Sequence, residues 1–90
     1  MDRVRASAIA RIEGALRSTL DDIHARVRNG AGRSTVTELV RHARELAALL
    51  DQAIDRLEGD PDGAVARRAA VDLASSLRLL ENELATKALH

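Results

Sequence analysis

The chain has ninety residues, fourteen basic and fourteen acidic side chains, a single Met and no Phe, Trp, Tyr or Cys. A neutral chain has no net field to draw it to nucleic acid or to an anionic membrane, and no run approaches the roughly 18 apolar residues that a bilayer span needs. A core of Ala, Leu, Val and Ile without aromatics or disulfides has few means of stabilising so small a domain, and oligomerisation is a common remedy, so a homo-oligomer is expected.

The start, Met1-Asp2-Arg3-Val4-Arg5, leads into no apolar signal-peptide core, and a cytoplasmic location is expected. Ile9, Ile12, Leu16, Leu20, Ile23 and Val27 then recur in steps of three and four, which predicts a helix over 2–29 with one buried stripe. Asn29-Gly30 offers a left-handed C-cap, because Gly takes positive φ at little cost. Gly30 to Arg33 reads as a short loop, with Ser34 or Thr35 as the next N-cap and Thr35 and Glu38 at capping-box spacing.

A second helix is predicted over 35–58. Val36, Val40, Ala43, Ala47, Leu50, Ile54 and Leu57 alternate steps of four and three, and Leu39, Leu46 and Ala53 form a second line beside them. So wide a stripe implies two neighbours and puts this helix at the centre. In Gly59-Asp60-Pro61-Asp62, Gly59 suits a C-cap, Asp60 an N-cap, Pro61 the first helical position and Asp62 the dipole of the following helix. A third helix over 61–88 carries Ala66, Ala70, Leu73, Leu77, Leu80 and Leu84 along one face, flanked by Ala69 and Ala74. Those small residues predict close packing between helices two and three, and leave helix one, joined through the glycine loop, as the more mobile element. The expected fold is therefore all-α: one domain over 1–90, an antiparallel three-helix bundle that assembles into a larger helical bundle.

Few residues point to chemistry. Glu38, His42 and Glu45 share one side of a helix, but that side faces away from the stripe, and no Glu-x-x-His pair supplies inward ligands as bundle metal sites require. Phosphotransfer bundles also present an exposed mid-helix histidine. Here, however, His42 is followed by Ala43-Arg44-Glu45 rather than by the Lys and Gly of that family, and the similarity is one of architecture alone. Acid–base catalysis needs two titratable groups held in a cleft with their pKa values pushed apart, and the carboxylates fall on polar faces or caps, with Asp72 and Glu81 least clearly so. Arg26 is the one basic residue placed near a core stripe, and the Arg and Lys spacing of helical chorismate mutases is not visible.

Arg11-Ile12-Glu13-Gly14-Ala15-Leu16-Arg17 resembles the start of the small three-helix repressors that sense copper or formaldehyde. The resemblance covers seven residues, and the cysteine ligands on which those sensors depend are missing, so it implies no sensing here. Residues 1–33 carry seven arginines against four acids, but the arginines are spread around the helix and no aromatic platform accompanies them.

No catalytic residue, metal ligand or cofactor is assigned. The expected function is protein–protein interaction or regulation, through self-association or the binding of a partner helix in an apolar groove. The alternatives are a nucleic-acid accessory protein using the Arg-rich first helix and a small helical enzyme. Val4, Leu49, Val71, Leu79 and Leu89 lie off the main stripes, and the expected partner-binding residues are Leu39, Leu46, Leu49, Val71 and Leu79.

Overall fold

In the computed structural model, which describes residues 3–57, 59 and 61–88, three helices pack side by side: α1 (Arg3–Arg28), α2 (Arg33–Asp55) and α3 (Pro61–Ala88). The placements expected for Asp2, Glu58, Asp60, Leu89 and His90, and for the side chains of Val4, Asp62 and Lys87, fall outside the described residues. The predicted stripes form the core. Ile9, Leu16, Leu20 and Ile23 of α1, Val36, Ala43, Leu50 and Ile54 of α2, and Ala70, Leu73, Leu77 and Leu80 of α3 are buried, as is Leu57 just after α2. Ile12, Val27, Val40, Ala47, Ala66 and Leu84 pack partly buried against them.

The first turn is closed by a Schellman motif. The Ala31 N–H donates to the Arg26 carbonyl (2.9 Å) and the Gly30 N–H to the Val27 carbonyl (3.2 Å), with Gly30 at φ +75°. The chain then enters α2 earlier than the sequence suggests. Gly32, extended at φ −63° and ψ 153°, is the N-cap and has no side chain to cap with, so neither Ser34 nor Thr35 serves and the expected capping box is not formed. The reason lies in the apolar residues on either side. Ala31 and Val36 occupy the two positions of a hydrophobic staple and both pack on the core, which fixes the start of the helix between them.

At its other end α2 stops at Asp55 rather than Glu58, and the Leu57 N–H turns back to the Ile54 carbonyl at 2.8 Å in a tightened final turn. Pro61 opens α3 as its type suggests, but Gly59 is not the C-cap of α2: the helix is capped at Arg56, and Gly59, at φ +88°, instead supplies the left-handed residue of the turn beyond it. Gly63 adds a constraint that the periodicity did not reveal. It is buried, and a Cβ there would stand 2.8 Å from the Leu57 carbonyl oxygen and 3.1 Å from the Leu57 Cβ. The hairpin closes this tightly because residue 63 has no side chain.

α2 is central, as its wide stripe implies: it contacts both other helices, and α1 and α3 touch least. α2 nevertheless packs more extensively on α1 than on α3, the helix whose small residues predict close packing. Arg44 and Asp55, which pair with Glu81 and Arg67 of α3, mark the side of α2 that faces α3. At 3.6 residues per turn, Leu39, Leu46 and Ala53 lie roughly opposite. All three are half-buried against the core, so the second apolar line widens the seam with α1 instead of α3. The helix with least contact to its neighbours is α3.

Candidate functional site

The described residues bury no polar or charged side chain, and none of their buried side-chain nitrogen or oxygen atoms lacks a hydrogen-bond partner. Any polar chemistry of these residues therefore takes place at the surface. His24 and His42 are exposed; Glu38 pairs with Arg41 at 3.4 Å and Glu45 is exposed on the same helix. No group of three or more His, Cys, Asp or Glu among the described residues is arranged to hold a metal ion. Arg26, expected near the core stripe, is exposed and pairs with Asp22 one turn earlier at 3.6 Å, because a long side chain can carry its guanidinium out to water. Arg11, Arg17 and Arg28 of α1 are likewise exposed.

The five residues expected to bind a partner separate into two groups. Leu39 and Leu46 are half-buried in the α1–α2 seam. Leu49, Val71 and Leu79 are exposed at 51%, 57% and 65%, and Val65, which sequence reasoning passed over, is exposed at 73%. Val65 and Leu79 are fourteen residues apart on α3 and nearly in line, roughly opposite the side from which Glu81 and Arg67 reach α2. Leu49 stands apart from them, on the side of α2 turned from α3. Val65 could have been found from its spacing to Leu79, but an isolated valine near a helix start gives little signal.

A concavity lies where the α1–α2 turn meets the C-terminal part of α3. It is an open cleft of about 630 Å³, within the range of small-molecule sites. Val27 and Ala31, Val36 and Val40, and Leu84 and Ala85 supply its apolar lining, one pair from each side. The remaining lining residues are Thr37, three arginines (Arg33, Arg41 and Arg44) and one acid, Glu81. Glu81 is half-buried, its side chain 26% exposed, and accepts a hydrogen bond from the Nε–H of Arg44, whose side chain is 66% exposed. Arg33 has no ion-pair partner among the described residues. It opens α2, whose first turn contains no acid, so the positive end of the helix dipole adds to the cationic rim.

A second cavity, about 700 Å³, sits under the hairpin between Ile54, Leu57, Gly63 and Ala64, with Asp55 and Arg67 at its edge. Those two side chains pair at 2.7 Å, so its charges are matched internally. No described helix is long and apolar enough to cross a membrane. The chain matches no protein-family model, no curated protein and no solved structure.

Proposed function

We propose that this protein is an interaction module that works by self-association, with the exposed aliphatics of α3 and α2 as its contact residues. The observation that carries this reading is an excess of surface. The chain exposes 6311 Å², whereas a folded monomer of 9.7 kDa is expected to expose about 5,100 Å². The excess of about 1,200 Å² on one chain is somewhat more than the roughly 800 Å² that each partner of a standard specific interface buries.

Its elongated shape, 47 × 19 × 16 Å, accounts for much of this surface, and a long thin bundle is well suited to lateral association. Leu79 with Val65 offers one contact line and Leu49 another, while Val71 lies about a quarter turn or more around α3 from the first line. Leu39 and Leu46, already engaged against α1, contribute to assembly by supporting that seam.

Light scattering at micromolar protein tests the proposal. The expected mass is a multiple of 9.7 kDa, and Leu79→Glu is expected to return it to the monomer with helical circular dichroism retained. If Leu49→Glu dissociates the assembly and Leu79→Glu does not, the interface lies on α2. A monomeric mass for the unaltered chain would sink the reading.

A further inference from the structure

The cleft where the α1–α2 turn meets the C-terminal part of α3 combines two chemistries in one place, an aliphatic floor and a rim with three arginines to one glutamate. We infer that it is a binding site for a small amphipathic carboxylate, a molecule with an anionic head and an aliphatic chain such as a medium-chain fatty acid. The inference stands apart from self-association, since it uses a different surface.

The rim already engages one carboxylate. Glu81 Oε1 accepts a hydrogen bond from the Arg44 Nε–H within the cleft, and guanidinium groups pair readily with carboxylates. Among the described residues Arg41 pairs with Glu38 of its own helix alone, across 3.4 Å and with both side chains about two-thirds exposed, a weak pair that an incoming carboxylate can replace. Arg33, Thr37 and Arg41 follow one another at steps of four along α2, so they form a row of donors beside the apolar floor.

The floor calls for an aliphatic chain rather than a polar ligand. Val27, Val36, Val40 and Leu84 meet there without an aromatic face or a buried polar group to specify anything else. Apolar area alone would admit any hydrophobe of suitable size; the arginines select the charged one. Because Glu81 competes for Arg44, the ligand and the α2–α3 ion pair are coupled, and removing the Glu81 charge should favour binding.

Octanoate titrated into isotope-labelled full-length protein, followed by amide chemical shifts, tests this. Octanol serves as the uncharged probe and acetate as the chainless one. Saturable shifts confined to the cleft residues of all three helices are expected with octanoate, none with acetate, and binding about fivefold or more weaker with octanol. Arg33→Gln should weaken octanoate about fivefold and Glu81→Gln should tighten it about fivefold, the factor corresponding to about 1 kcal/mol. Ala85→Phe, a change at an exposed helical position on the wall, should abolish binding with the fold intact. Equal affinity for octanoate and octanol, or no tightening in Glu81→Gln, would overturn the inference. Cleft shifts that depend on protein concentration without ligand would overturn it too, by giving the cleft to a second copy of the chain.

Discussion

The two seams of α2 are built differently. Against α1 it presents aliphatics in two lines, with Leu50 and Ile54 fully buried and Leu39, Leu46 and Ala53 half-buried alongside. Against α3 the contact is less extensive, and two surface ion pairs, Arg44 with Glu81 at the middle of α2 and Asp55 with Arg67 at its end, cross it. Surface pairs of this kind contribute at most about 1 kcal/mol each, whereas burying a single Leu or Ile contributes about 1.5–3 kcal/mol. The tight turn between α2 and α3 therefore sets their proximity without making their seam the stronger one. The looser glycine turn joins the pair of helices that holds together better, and an open cleft remains where α3 lies across the end of that pair.

The largest effect expected from this difference is in the core. Leu16→Ala, at a fully buried position of α1, should cost about 3–4 kcal/mol, and Leu77→Ala in α3, which is slightly exposed, about 2 kcal/mol. Urea denaturation measures both, and equal losses would show that the seams are energetically alike. Next in size is Gly63→Ala. Helix propensity alone favours alanine by about 1 kcal/mol, but the new Cβ would meet the Leu57 carbonyl oxygen at 2.8 Å, so α3 must shift away from the end of α2. The net expectation is a loss of about 1–2 kcal/mol, and a gain in the same denaturation experiment would mean that the hairpin accommodates a side chain without cost.

The three helices were legible because aliphatic period, a glycine at positive φ and a proline at a helix start are local signals, and each was met in the structure at Gly30, Gly59 and Pro61. The N-cap of α2 was misread for an equally local reason. Ser34 and Thr35 are good capping types, but Ala31 and Val36 packing on the core decided where the helix began. Relative seam strength was not legible. A helical wheel shows that Leu39 and Leu46 form a second line but not which neighbour lies against it, and the small residues Ala66, Ala69 and Ala70 bear on how closely helices approach, not on how extensive their seam is. The cleft was hidden for the same reason. Val27, Arg44 and Glu81 lie far apart in sequence, and each alone reads as an ordinary stripe or surface residue.

The smallest effect bears on the turn between α1 and α2. Gly32 has the extended backbone of an N-cap, ordinary for any L-residue, and nothing stands within 4 Å of a Cβ built there. Ser at this position can accept a hydrogen bond from a first-turn N–H that Gly32 leaves without a side-chain acceptor, and it also narrows the unfolded ensemble. Gly32→Ser should therefore stabilise the protein by about 0.5 kcal/mol in thermal or chemical unfolding. A loss instead would mean that the turn needs the freedom of glycine as α2 docks on α1. In that case the stronger seam would depend on a flexible connection, and the apolar lines of α2, rather than the geometry of the turn, would be what brings the two helices together.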